Sequence, residues 1–92
     1  MRDLLVSDMK KIELLKALYD EKVHTYYRLS RIVGTNYETV KKNCRFLELL
    51  NFVEISRVEK EESASGVASY KVKITSEGKK AVNSLLLRLK GN

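Results

Sequence analysis

Few side chains in this sequence could do covalent chemistry or hold a metal ion. Its 92 residues include a single histidine, His24, and a single cysteine, Cys44. A structural zinc site takes four Cys or His ligands, and an acid–base or nucleophilic centre takes several convergent groups, which this sequence does not offer. We therefore expect a protein that is not an enzyme and has no catalytic residues, metal site or cofactor. Cys44 lies on an apolar stripe and is expected to be a buried, inert thiol, and His24 to be structural or solvent-exposed.

Lysine and arginine are the second group of side chains that could act on a partner, here by binding anions, and several of them cluster between residues 36 and 50. If the apolar residues of this segment form the inner face of a helix, a rotation of about 100° per residue places a polar strip on the opposite face. The inner face is then Val40, Cys44, Leu47 and Leu50, and the strip is Glu38, Lys41, Lys42 and Arg45, with Tyr37 at its start. Lys and Arg donate hydrogen bonds to guanine and to phosphate, and a carboxylate can accept from the cytosine amino group. The strip favours nucleic-acid binding, with a plain solvated helix face as the alternative.

The elements that must position this strip follow from hydrophobic periodicity and capping residues. Apolar residues recur at spacings of three and four in four segments and alternate in two others, which predicts four helices and two strands. The helices are Asp8 to Asp20, Tyr26 to Val33, Tyr37 to Leu50 and Ser76 to about Lys90, and the strands are Val53 to Val58 and Tyr70 to Ile74. Thr25, Asn36 and Thr75 are suited to cap the last three helices, and Gly34 and Asn51 to end the second and third. The predicted inner faces of the first two helices are Ile12, Leu15, Leu18 and Tyr19, and Leu29, Ile32 and Val33.

Composition and charge set the class of protein and of partner. The chain is 43% hydrophobic and 33% charged, with a net charge of +6, which predicts one folded domain over residues 1–92 and a polyanionic partner. The excess is regional, because residues 25–57 carry +3 and residues 69–92 carry +5, whereas residues 58–68 carry −2. The sequence has no recognisable secretory signal and no apolar run long enough to span a membrane. We expect a cytoplasmic, nucleoid-associated protein with no membrane partner.

The segment from Tyr26 to Val53, YYRLSRIVGTNYETVKKNCRFLELLNFV, resembles the core of winged helix-turn-helix transcription regulators of bacteria and archaea. Ser30, Gly34 and Val40 match the family's small residue, glycine and aliphatic residue around the turn. The run KITSEGKKAV resembles the strand, Thr cap and Glu-x-Gly element that follows the wing in many members. The resemblance implies an α+β, mainly helical fold with a three-helix core, a two-stranded hairpin wing over residues 53–75 and a C-terminal helix over 76–90. The helix-turn-helix itself covers residues 25–50.

This resemblance implies double-stranded DNA as the partner, with the third helix as recognition helix in the major groove. The expected base contacts are Tyr37, Glu38, Lys41 and Lys42. The expected backbone contacts are Arg28, Arg31, Thr35, Arg45, Arg57, Lys71 and Lys73. The strand lysines are nearly as well explained as protection of an exposed sheet edge against aggregation. The wing tip is acidic, and we expect it to stay away from DNA.

The last helix is richer in leucine than one small core requires, which predicts a homodimer. Leu85, Leu86 and Leu89 are the expected interface, and a two-fold dimer would set two recognition helices about 34–36 Å apart. A monomer whose last helix packs on the first is the alternative. The leading function is thus a transcription regulator, with two alternatives: a non-specific architectural DNA-binding protein and a winged-helix module that binds protein. No small-molecule ligand is evident from the sequence.

Overall fold

A computed structural model of the chain describes residues 6–58 and 69–90, with side chains over 8–58 and 69–85. The elements are α1 (Val6–Leu18), β1 (His24–Thr25), α2 (Tyr26–Val33), α3 (Tyr37–Leu49), β2 (Val53–Val58), β3 (Ser69–Ile74) and α4 (Ser76–Lys90). The mainly helical α+β fold and the predicted order of helices and strands are confirmed. The predicted wing tip, residues 59–68, lies outside the described residues.

Local capping signals explain where three helices begin. Thr25, Asn36 and Thr75 each accept a hydrogen bond on the side chain from the amide three residues further on, at 3.1, 2.8 and 3.0 Å. These bonds satisfy amides that have no partner within the helix itself. The three predicted N-caps are therefore confirmed. α1 begins at Val6 and ends at Leu18, two residues before the predicted start at Asp8 and the predicted end at Asp20.

Left-handed residues close α2 and α3 as predicted. Gly34 has φ +73°, and its amide donates to the Ser30 carbonyl at 3.0 Å. Asn51 has φ +62°, a conformation that asparagine tolerates better than most residues. Because α3 ends at Leu49, Leu50 lies beyond the helix and is 46% exposed, so its predicted place in the core is wrong.

The strands form one antiparallel sheet in the order β1–β3–β2. The hairpin register pairs Val53 with Ile74 and Arg57 with Tyr70. Val72 and Ile74 point into the core, and Lys71 and Lys73 are exposed, which confirms the predicted alternation. The two-residue β1 was not predicted, because an element this short has no detectable period of two.

The core lies where the four helices meet the inner face of the sheet. It contains Leu14, Leu15, Leu18, Tyr26, Leu29, Val40, Cys44, Leu47, Val53, Val72, Ile74 and Val82. Besides Leu50, two predicted core residues are exposed: Ile32 at 51% and Tyr19 at 37%. The inner face of α2 runs through Tyr26, and Ile32 is turned roughly 100° away from that face. Tyr19 follows the end of α1 and donates its hydroxyl to Asn83 Oδ1 at 2.9 Å, so it joins α1 to α4 at the surface.

His24 is buried in β1 and bonds to Asp20 just beyond α1. Its Nε2 lies 3.1 Å from one carboxylate oxygen of Asp20, and the ring is 7% exposed. The Asp20 carboxylate also accepts the Lys22 amide at 2.8 Å. This backbone bond, with the nearby His24, lowers the pKa of Asp20 below its usual value. The structural role expected of His24 is confirmed, in a turn that joins α1 to the sheet.

Candidate nucleic-acid interface

Four polar side chains of α3 lie together on the side of the helix that faces away from the core. Glu38, Lys42 and Arg45 are exposed and Lys41 is half-buried, whereas the inner residues of α3 are at most 1% exposed, Asn43 excepted. We call Glu38, Lys41, Lys42 and Arg45 the recognition strip. All four line one shallow depression, together with Asn36 and Thr39. The structure therefore brings together three cations and one acid on a helix side that is open to a large partner.

Two side-chain hydrogen bonds are made to the first turn of α3, where this strip begins. Asn36 caps it, and the buried Asn43 donates its side-chain amide to the Thr39 carbonyl at 2.9 Å. Asn43 was not singled out by the sequence analysis, because a polar residue on the inner face has no periodic signal of its own. A capped first turn matters for recognition, because partial positive charge at a helix start attracts anions and its side chains reach furthest toward a bound groove.

Tyr37, an expected base contact, packs part of its ring against another tyrosine. Its ring meets that of Tyr26 edge-on, with centroids 5.6 Å apart, and remains 39% exposed. Tyr26 in turn stacks on Tyr70 of β3 at 5.2 Å, and burial raises the pKa of Tyr26 to about 12. We call these three residues the tyrosine row. They connect the start of α3 to the hairpin, a link that sequence spacing does not reveal.

The three hairpin cations expected at the DNA backbone are split between two faces of the sheet. Arg57 pairs across the strands with Tyr70, and its guanidinium lies over the Tyr70 ring at 5.8 Å. It therefore shares a side with the tyrosine row and the start of α3. Lys71 and Lys73 lie on the opposite face, where Glu54 is the cross-strand neighbour of Lys73. The structure places Arg57 on the same face of the sheet as the tyrosine row and the two lysines on the opposite face.

The other expected backbone contacts are Arg28 and Arg31 of α2 and Thr35 in the turn between α2 and α3. Arg28 and Arg31 are exposed, and Arg31 Nη1 donates to the Tyr27 hydroxyl at 3.1 Å. Thr35 is half-buried in the turn, and its amide donates to the Ser30 carbonyl at 2.9 Å. These residues have the exposure that phosphate contacts require, as the outward direction of Arg28 and Arg31 predicted.

A groove of about 290 Å³ lies on another side of the domain, between α1, the end of α3 and α4. It is lined mainly by apolar residues, among them Leu15, Phe52 and the half-buried Leu85. Near its rim Phe46 and Leu50 are 48% and 46% exposed. Leu85 was expected at a dimer interface and does border this groove. The other two expected interface residues, Leu86 and Leu89, lie outside the residues whose side chains are described.

Cys44, the single cysteine of the sequence, is buried in the core. Burial raises the pKa of the Cys44 thiol to about 12, which keeps it protonated and confirms the inert thiol. Within residues 6–58 and 69–90, no three His, Cys, Asp or Glu side chains are grouped so as to hold a metal ion. None of the described helices is both long and apolar enough to cross a membrane.

Solved structures share this arrangement of elements. The chain superposes on BpsR of Bordetella bronchiseptica, whose DNA binding is regulated by 6-hydroxynicotinic acid, with a TM-score of 0.68 and 15% identity over 91% of this chain and 53% of that chain. A MarR-family transcriptional regulator of Silicibacter pomeroyi gives a TM-score of 0.63 and 16% identity over 89% and 54% of the two chains. The S. aureus MepR–DNA complex gives a TM-score of 0.65 and 19% identity over 84% of this chain and 60% of that chain.

These likenesses show that the chain has the winged helix-turn-helix fold predicted from its sequence. The chain spans about half to three fifths of the length of these three solved chains. No protein-family profile matches the sequence, and no curated protein sequence matches it.

Proposed function

We propose that this protein is a transcription regulator that binds double-stranded DNA by placing α3 in the major groove. The observation that carries the proposal is the recognition strip, which lies on the side of α3 that faces away from the core and begins in a turn capped by Asn36. An α-helix with its side chains is about 10–12 Å across and the major groove is about 12 Å wide, so the strip can reach base edges. The S. aureus relative, solved on DNA, supports the same use of the fold.

The side chains divide into two kinds of contact. Glu38, Lys41 and Lys42 are assigned to base edges, with Tyr37 contributing the exposed part of its ring. Arg45, Arg57, Arg28, Arg31 and Thr35 are assigned to phosphates, where they set position and salt-sensitive affinity instead of sequence preference. Lys71 and Lys73 lie on the face of the sheet opposite the tyrosine row. They therefore contact DNA only where the DNA bends around the hairpin.

We further propose that the regulator acts as a homodimer on a two-fold site. Support comes from the apolar surface around the groove, where Phe46 and Leu50 are 48% and 46% exposed. Large apolar side chains exposed together are typical of protein interfaces. A two-fold dimer through this side leaves both recognition strips free for successive major grooves.

Binding to duplex DNA over a range of salt concentrations tests the proposal. The Lys41→Ala/Lys42→Ala variant is compared with Lys16→Ala/Lys22→Ala, which removes two exposed cations of α1 and the following turn. Each lost phosphate contact flattens the plot of log K against log salt by about 0.9, and each lost base contact also reduces discrimination between sequences. The first variant is expected to lose affinity and sequence preference, and the control to keep both. Absence of binding at low salt, or equal behaviour of the two variants, would refute the proposal.

The exposed apolar rim also favours a second candidate, a winged-helix module that binds another protein. Phe46 and Leu50 would then form the binding surface. Selection from random duplexes separates the candidates, because a regulator enriches one motif, an architectural protein enriches none while still binding, and a protein-binding module retains no DNA.

A further inference from the structure

A cleft of about 570 Å³ lies along the side of α3 that faces α1. Three lysines line it, Lys10 and Lys11 from α1 and Lys42 from the recognition strip. Thr35 in the turn and Thr39 in the first turn of α3 add hydroxyl groups to the same wall. Neither α1 lysine was assigned a function from the sequence, because nothing in the chain's spacing shows that α1 borders the recognition helix.

The charge of this cleft is positive after its neighbours are counted. Glu13 of α1 pairs with Lys10 Nζ at 3.2 Å and offsets one of the three cations, and Asp8, one helical turn before Lys11, offsets a second, which leaves one net positive charge. None of the described residues that line the cleft itself is acidic. Lys11 Nζ lies over the ring of Phe46 at 4.7 Å, which holds its ammonium group at the edge of α3. The cleft therefore combines fixed cations with hydroxyl donors, the combination that phosphate oxygens accept.

The position of the cleft relative to α3 identifies the anion. Residues 37 and 39 differ by about 200° around the helix axis, so Tyr37 and Thr39 lie on opposite flanks of α3. The Tyr37 flank leads through the tyrosine row to Arg57, and the Thr39 flank leads to the lysines of α1. A helix in the major groove is bordered by one DNA backbone strand on each flank, because helix and groove have nearly the same width.

We propose that this cleft binds a phosphate of the DNA strand that borders the major groove on the α1 side, so that Lys10 and Lys11 are DNA backbone contacts. The inference rests on the proposed function and adds α1 to its contact surface. Arg57 and the cleft then contact the two DNA strands on either side of α3. These two contacts set the orientation of the helix in the major groove.

The experiment measures affinity of the full chain for a duplex between 50 and 200 mM salt, for the wild type, Lys10→Gln/Lys11→Gln and the control Lys16→Gln/Lys22→Gln. Loss of two phosphate contacts at about 0.9 each changes the slope by about 1.8, so the affinity deficit of the cleft variant shrinks about 12-fold across this fourfold range of salt. Loss of a single contact gives a shrinkage of about 3.5-fold. The control variant is expected to keep the wild-type slope. The Lys10→Arg/Lys11→Arg variant, which keeps both charges, is expected to restore it.

The outcomes separate this inference from the proposed function. If the wild type binds DNA and the cleft variant keeps its slope, the cleft is no phosphate site, and the proposed function stands. If the cleft variant loses affinity at every salt concentration equally and arginine does not restore it, the lysines act only through the fold, and the inference fails. If the wild type itself does not bind duplex DNA at 50 mM salt, both fail.

Discussion

Replacing Gly78 with alanine is expected to destabilise the domain, although alanine stabilises an open helical position by about 0.5–1 kcal/mol relative to glycine. Gly78 lies in the first turn of α4, against the residue that precedes β2. A Cβ atom there would collide with the carbonyl oxygen of Phe52 and lie 2.7 Å from Ile74 Cγ1. The Phe52 backbone cannot easily retreat, because its amide donates to the Leu47 carbonyl at 2.9 Å and its carbonyl accepts the Thr75 amide at 3.0 Å.

The expected magnitude follows from these contacts. Forcing a methyl group into a packed site costs about 1–3 kcal/mol, and losing the bond from the Thr75 amide costs about 1 kcal/mol more. After the helix preference of alanine is subtracted, Gly78→Ala lowers the free energy of unfolding by roughly 1–3 kcal/mol. For a domain of this size, each kcal/mol shifts Tm by about 4–8 °C.

Urea and thermal unfolding followed by circular dichroism measure this effect, with Gly34 as a matched comparison. No atom lies within 4 Å of a Cβ at Gly34, but its φ is +73°, so alanine there costs about 1–2 kcal/mol through the backbone alone. Asparagine tolerates the left-handed region, so Gly34→Asn is expected to recover part of that loss, and Gly78→Asn to recover none. A Gly78→Ala variant as stable as the wild type, or more stable, would refute the close approach of α4 to Phe52.

Three further predictions concern the cap of α3, the tyrosine row and the loss of stability at low pH. Asn36→Ala is expected to lower the free energy of unfolding by about 1 kcal/mol in urea titrations, and Asn36→Asp to keep it, because an aspartate can cap the same amide. Tyr70→Leu is expected to flatten the salt dependence of DNA binding by about 0.9 through displacement of Arg57, and Tyr70→Phe, which keeps the stacked ring, to leave it unchanged. The bond from the Lys22 amide lowers the pKa of Asp20 below 3.8, so its stabilisation is complete above that pH and is lost as pH falls through the lowered value. Asp20→Asn is expected to remove that part of the acid dependence of unfolding, and an unchanged pH profile would contradict it.

Features set by neighbouring residues could be predicted from the sequence. The caps at Thr25, Asn36 and Thr75 and the left-handed Asn51 depend on bonds and backbone angles within a few residues. The outward direction of the recognition strip depends only on helical rotation and on which residues of α3 are apolar.

Features set by residues that are far apart in the sequence could not be predicted from it. The tyrosine row joins Tyr26, Tyr37 and Tyr70, and the lysine cleft joins the start of α1 to the far flank of α3. Both depend on how the helices cross, which no spacing in the sequence encodes. The exposure of Ile32 has the same origin, because the packing of Tyr26 and Leu29 sets the rotation of a helix with only two turns.

DNA binding by α3 is tested most directly by titrating isotope-labelled protein with duplex DNA and following the backbone amide signals by NMR. We expect the largest shifts on residues 36–45 and on Arg57, with smaller shifts around Lys10 and Lys11. Signals of Leu50 and Leu85, which line the apolar groove, should move little once a dimer has formed. No shifts at low salt, or shifts confined to the groove, would contradict a DNA-reading role for α3.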